Sequence, residues 1–104
     1  MNGQSFAFVG YLPVEEAARA ARIRELEALA RRSGQTQMMI ETPYRNPALM
    51  QALMAHLQPT TRLSVSCGLT LAGGWSRSLS VQDWRRASEP LPADVPAVFA
   101  IHGG

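Results

Sequence analysis

One ten-residue stretch near the middle of the chain restricts its fold more than any other: Met38-Met39-Ile40-Glu41-Thr42-Pro43-Tyr44-Arg45-Asn46-Pro47. An apolar run ends in a carboxylate, and a turn and a helix start follow at once. Met38 to Ile40 read as a short buried strand. Pro43 has no N–H to give a sheet ladder, so the strand stops by Thr42. Asn46 suits a helix N-cap, and Pro47 suits the first helical position, where a missing N–H costs nothing. The order is strand, sharp loop, helix. Ligands of open α/β sheets gather outside the carboxyl ends of the strands, so Thr42 to Arg45 are expected on such a rim.

The rest of the chain repeats that alternation. Ser5 to Val9 read as a strand that Gly10-Tyr11-Leu12-Pro13 breaks. Glu15 to Arg32 read as a helix, with Ile23, Leu26, Leu29 and Ala30 as its apolar stripe and Gly34 just past its end. Glu15–Arg19 and Glu27–Arg31 are spaced for i,i+4 ion pairs. Gln35 to Glu41 form the second strand and Asn46 to Leu57 the second helix. Arg62 to Ser66 and Trp75 to Leu79 follow as strands, with a glycine-flanked bend between them. Ser80-x-x-Asp83 resembles a capping box for a short helix that carries Trp84 and ends near Ala87. Ser88 to Pro96 are loop, and Ala97 to Ile101 are the last strand. Strands alternating with helices predict an α/β fold, here a three-layer sandwich. Two consecutive strands require an antiparallel pair, so the sheet is expected to be mixed and mostly five-stranded.

Composition sets outer bounds. A chain of 104 residues, 46% hydrophobic, is expected to form one domain, residues 1–104. No apolar run approaches the roughly 20 residues that span a bilayer, so no membrane partner is expected. Cys67 is the only cysteine and no signal peptide precedes the first strand, which makes the cytoplasm the expected location. The net charge of +2 is a mild bias, but all ten basic residues are arginine, the side chain that grips phosphate bidentately. Dinucleotide, P-loop, nucleophile-elbow and C-x-x-C signatures are missing. Cys67 reads as a small buried hydrophobe, the methionines of the second helix as core filler, and His56 as a half-exposed helix histidine without metal-ligand spacing.

Taken together, four segments say more. Phe8-Val9-Gly10-Tyr11-Leu12-Pro13, Ile40-Glu41-Thr42-Pro43-Tyr44-Arg45-Asn46, Leu69-Thr70 and Trp84 resemble the C-terminal half of the tetrapyrrole methylase family, near its branch of ribosomal-RNA ribose methyltransferases. The resemblance runs from about Phe6 to His102. It implies an S-adenosylmethionine-dependent methyltransferase whose cofactor lies between this domain and a glycine-rich N-terminal domain, the missing partner. It also implies a chain that is inactive alone. By position, Thr42, Leu69, Ala100, Ile101 and His102 are implied as cofactor-binding, through backbone amides and apolar contacts. Tyr44 and Arg45 are the implied substrate contacts. No catalytic base and no metal ligand is implied. The chemistry suits such a division, because methyl transfer from a sulfonium is an in-line displacement governed by positioning.

Two readings from other classes stand beside this one: a freestanding RNA-binding module with a Tyr44-Arg45 platform, and a dimerisation module with a contact at Gly73-Gly74-Trp75. Where the ribosomal-RNA branch carries Arg-Glu-Leu-Thr-Lys, this chain has Cys67-Gly68-Leu69-Thr70-Leu71. Leu and Thr are kept and the charges are gone. An RNA acceptor is therefore allowed, but not one bound in the manner of that branch.

Overall fold

The computed structural model describes residues 6–68, 74–87 and 95–102. In chain order the elements are β1 (Phe6–Tyr11), α1 (Glu16–Ser33), β2 (Thr36–Glu41), a single 3-10 turn (Pro43–Arg45), α2 (Asn46–His56), β3 (Arg62–Cys67), β4 (Trp75–Ser80), α3 (Val81–Ala87) and β5 (Ala97–Ile101). The five strands form one sheet in the order β1-β2-β5-β3-β4. β1 runs parallel to β2. β5 is antiparallel to both β2 and β3, and β4 is antiparallel to β3. The α/β class and the five-stranded mixed sheet are as the element string requires. The expected bend at Leu69 to Gly73 and most of the loop before Val95 lie outside the described residues.

The layering is narrower than a three-layer sandwich. α1 packs on α2 and α2 on α3, and their buried residues share one core with alternate residues of the strands. From the helices come Ile23, Leu26, Leu49, Leu53, Val81 and Trp84; from the sheet come Met39, Leu63, Val65, Phe99 and Ile101. Handedness accounts for this. The β1–β2 and β2–β3 crossovers step the same way across the sheet, and β4–β5 steps back along reversed strands, so right-handed connections put all three helices on one face. Among the described residues, the other face carries no helix.

Local chemistry sets the element ends. Glu15 accepts hydrogen bonds from the Ala17 and Ala18 N–H groups at 3.2 and 2.8 Å and caps α1. The expected Glu15–Arg19 and Glu27–Arg31 pairs therefore do not form. Glu15 is spent on the cap, and Glu27, buried in α1, accepts from Gln58 N–H at 2.8 Å and from the Thr61 hydroxyl at 2.5 Å. Arg31 donates to the Thr61 hydroxyl instead, at 3.0 Å. Gly34 ends α1 with a left-handed backbone, φ 72°, as expected. Ser80 accepts from Asp83 N–H at 3.4 Å, one half of the expected capping box.

β1 does not end at Val9. It bulges there: Phe8 pairs with Met38, but Gly10 pairs with Met39 and Tyr11 with Ile40. Gly10, at φ 87°, takes the backbone turn that a Cβ would strain.

Asn46 is not an N-cap. The 3-10 turn runs directly into α2, and its i→i+3 bonds already engage the N–H groups of Arg45 and Asn46 through the Thr42 and Pro43 carbonyls. The Asn46 side chain is fully buried, and its Nδ2 donates to the Val95 carbonyl at 2.9 Å, tying the start of α2 to the entry of β5. Asn46→Ala should lower stability by about 1–3 kcal/mol, the cost of a buried carbonyl left without its donor. Asn46→Ser and Asn46→Asp should not restore it, although either residue type suits an N-cap. Urea midpoints of the three variants test this.

Candidate functional site

Three strands run parallel (β1, β2 and β3), and their carboxyl ends share one edge of the sheet. Leu12 follows β1, Thr42 follows β2 and Gly68 follows β3 there, while β5 enters through Val95 and Pro96. The edge is closed at its centre, where Gly68 N–H donates to the Pro96 carbonyl at 2.9 Å. This is the rim expected from the strand–loop–helix stretch.

Glu41 lies at its heart. The side chain is 1% exposed, one carboxylate oxygen accepts from Thr42 N–H at 2.8 Å, and Arg45 stands 3.8 Å away. The other Glu41 oxygen, the Thr42 hydroxyl and the Asn46 Oδ1 are buried without a hydrogen-bond partner. Such atoms cost about 1–3 kcal/mol each while unmet, and native folds keep few of them. Three such atoms fall within six residues at the carboxyl end of β2. Outside it, Tyr44 is 66% exposed and the Arg45 guanidinium lies 5.1 Å from its ring centroid. Arg45 covers one face of the ring, so a stacking ligand is left the other.

The implied cofactor residues do not all meet. Thr42 is on the rim with Tyr44 and Arg45. Ala100, Ile101 and His102 lie towards the opposite edge, because β5 runs antiparallel: Ile101 pairs with Gln37 at the start of β2, while Ala97 pairs with Glu41 at its end. Six residues separate His102 from Pro96 at the rim, roughly 20 Å at the rise of an extended strand. Side chains also diverge, since Ile101 is buried under the helices and Ala100 faces the open side. Leu69 lies outside the described residues.

His102 makes a small polar cluster of its own. Its Nε2 is 2.5 Å from the Ser64 hydroxyl and its Nδ1 is 3.4 Å from the Thr36 hydroxyl. Burial, and then the positive charge of Arg62, lower its pKa below the ordinary value of 6.5. Cys67 is buried, as expected, and Trp75 is half-buried and packs against the core. Arg77 lies over Trp75 and Trp84, 5.6 and 5.9 Å from their ring centroids, on the helix side of the sheet. Among the described residues no group of three His, Cys, Asp or Glu side chains is placed to hold a metal, and no helix is long and apolar enough to cross a membrane.

The fold matches that of known methyltransferases. The crystal structure of the methyltransferase CobJ superposes on this chain with a TM-score of 0.56 at 12% identity, over 98% of this chain and 42% of that one. The uroporphyrin-III C-methyltransferase of Thermus thermophilus gives a TM-score of 0.47 at 19% identity, over 95% of this chain and 35% of that one. The chain thus spans less than half the length of either methyltransferase. No family model matches the sequence, and no curated protein does.

The His102 cluster predicts a pH dependence. A lowered pKa means that the folded state favours neutral imidazole, so the unfolded chain binds more protons below about pH 6.5. Stability contributed by His102 is present in full above that pH and is lost as the pH falls towards the lowered value. Urea midpoints measured from pH 8 to pH 5 should fall on the acid side in the parent chain, and less steeply in His102→Gln.

Proposed function

We propose that this chain is the cofactor- and substrate-binding domain of an S-adenosylmethionine-dependent methyltransferase, acting beside a glycine-rich α/β domain that completes the cofactor cleft. The observation that carries the reading is the fold match to a methyltransferase over nearly the whole of this chain but 42% of the other. The motif resemblance to the C-terminal half of tetrapyrrole methylases supports the same assignment independently.

The rim residues suit the cofactor in part. Glu41, Thr42 and Asn46 hold unmet oxygens, and adenine, ribose and the methionine ammonium are rich in donors. When bound, S-adenosylmethionine supplies an activated methyl group on sulfur. This chain's own residues would bind and orient: Thr42 and its neighbours at the cofactor, with Tyr44 and Arg45 holding the acceptor from outside. Ala100, Ile101 and His102 have no share in a site at this rim. Productive alignment of donor and acceptor accounts for much of the catalysis such a domain can offer.

A ribosomal-RNA acceptor bound as in the related branch is disfavoured. Cys67, where that branch has Arg, is 2% exposed. Gly68, where it has Glu, sits at φ 63°, which a side chain rarely adopts. Arg77 lies over Trp75 and Trp84 on the helix side of the sheet.

Incubation with radiolabelled S-adenosylmethionine and cell-extract RNA, tetrapyrroles and protein tests the assignment. The chain alone should transfer no label, and it should do so once combined with a glycine-rich methylase domain. Transfer by the chain alone would refute the division of labour. Complementation of cells lacking the ribosomal-RNA ribose methyltransferase should fail even with the two-domain enzyme, and mapped methylation of small-subunit RNA reads that outcome.

A further inference from the structure

We propose that the groove between α1 and the end of α2 binds the phosphate group of a small phosphomonoester. The groove has a volume of about 470 Å³ and is lined by Arg24, Glu27, Ala28, Arg31, His56 and Gln58. It lies on the helix side, away from the carboxyl rim. α2 starts at the rim and runs back from it, and the turn from Gln58 to Thr61 leads into the first residue of β3. Sequence spacing makes the α1 wall. Arg24, Ala28 and Arg31 fall at i, i+4 and i+7 on one stripe of the helix, so two long cationic side chains flank a single methyl group. Ala28 leaves open the space that a longer side chain would fill.

The charges of the groove favour an anion. Arg22, Arg45 and Arg86 each stand beside a carboxylate. Among the described residues Arg24 and Arg31 do not, although Glu27 lies between them in sequence. Glu27 is the buried member of the lining, and its Oε2 already accepts from Gln58 N–H at 2.8 Å and from the Thr61 hydroxyl. The two guanidiniums are held instead by a ring nitrogen and two hydroxyls. Arg24 Nη2 is 3.3 Å from His56 Nδ1, and Arg31 Nη2 donates to the Thr60 and Thr61 hydroxyls at 3.3 and 3.0 Å. One nitrogen of each is anchored, while Nε and Nη1 of each have no protein partner among the described residues. A guanidinium only donates, so His56 Nδ1 accepts from Arg24, and the N–H of a neutral ring is on Nε2. Two arginines against one carboxylate leave a net positive charge. The carbonyl end of α2 opposes an anion, but Arg85 donates to the Met54 carbonyl at 3.0 Å and blunts it.

The donor set matches a terminal phosphate. Arg24, Arg31 and His56 are three donors drawn from two helices, and a phosphomonoester has three unsubstituted oxygens to accept from them. A phosphodiester or a carboxylate has only two. Arginine suits the task because its planar fork meets phosphate oxygens in pairs. The volume falls within the roughly 300–1,000 Å³ usual for small-molecule sites, so the groove has room for the rest of the ligand beyond its phosphate. Both guanidiniums are exposed and screened by salt, so binding should be weak, with a Kd on the order of 1 mM at low ionic strength. The groove shares no residue with the rim, and it holds or fails independently of the methyltransferase assignment.

Titration of the isotope-labelled chain with ribose 5-phosphate at low salt, followed by two-dimensional NMR, tests this. The amide signals of Ala28 and Gln58 and the Nε–H signals of Arg24 and Arg31 should shift saturably, while the amides of Thr42 and Tyr44 stay in place. Inorganic phosphate should compete. Dimethyl phosphate, and an RNA oligonucleotide without a terminal phosphate, should bind at least fivefold more weakly. Ala28→Glu fills the hollow with a carboxylate and should weaken binding at least tenfold. Ala28 is exposed, so this variant should keep the parent's urea midpoint. Arg24→Gln and Arg31→Gln should each weaken binding at least threefold. Arg32→Gln removes the same charge from α1 outside the groove and should leave binding unchanged. Absence of a saturable shift, shifts centred on Thr42, equal weakening by Arg32→Gln and Arg24→Gln, or a diester or RNA bound as tightly as the monoester would each overturn the proposal.

Discussion

The insertion of β5 between β2 and β3 is the constraint on which the rest of the structure depends. Ala97 to Ile101 is the fifth strand in chain order and the central one in the sheet. It supplies the ladder for both neighbours, so β2 and β3 share an inner partner that comes from far along the chain. Its side chains are correspondingly apolar on both faces, with Ala97, Phe99, Ala100 and Ile101 all buried. Because β5 runs against β2 and β3, it brings its amino end to the rim and carries its carboxyl end away from it. The geometry of the candidate site follows from this one reversal.

It also explains where reading the sequence succeeded and where it could not. Ala97 to Ile101 was legible to the residue, since a continuous apolar run between a proline-rich segment and a glycine end admits little else. The eight-element string, the Gly34 cap and the burial of Cys67 were legible for similar reasons: each rests on local chemistry. Strand direction is not local. Nothing within Ala100-Ile101-His102 says that these residues end up a sheet's length away from Thr42, so the implied site grouped residues that the fold separates. Layering was hidden in the same way, because it depends on the order of strands across the sheet and not along the chain. Asn46 misled for a subtler reason. Its type and its proline neighbour fit a cap, but the preceding 3-10 turn already gives Asn46 a helical backbone with its own N–H on the Pro43 carbonyl, so it does not stand at a helix start.

The rim and the open face divide the molecule's polar and apolar demands. At the rim, acceptors outnumber donors over a few residues around Glu41, which suits a ligand carrying N–H and O–H groups. On the open face, one arginine and one histidine stand at a single end of an otherwise uncharged surface. The all-arginine basicity of the chain is thus placed largely elsewhere: on α1 and α3, at the helix C-termini, and stacked on aromatic rings at Tyr44, Trp75 and Trp84.

The bulge at Val9 has a second consequence. β1 is an outer strand, and outer strands expose unpaired N–H and C=O groups that invite foreign strands to add on without limit. A chain that shows three aromatic side chains beside such an edge would be at risk of fibrous assembly. The extra residue at Val9 disrupts the spacing of those edge groups and increases the local twist, so an incoming straight strand finds no continuous ladder. At the other margin, β4 is six residues long and rich in serine, with Arg77 at its middle. The molecule can therefore expose three aromatic rings while leaving its margins poor templates for polymerisation.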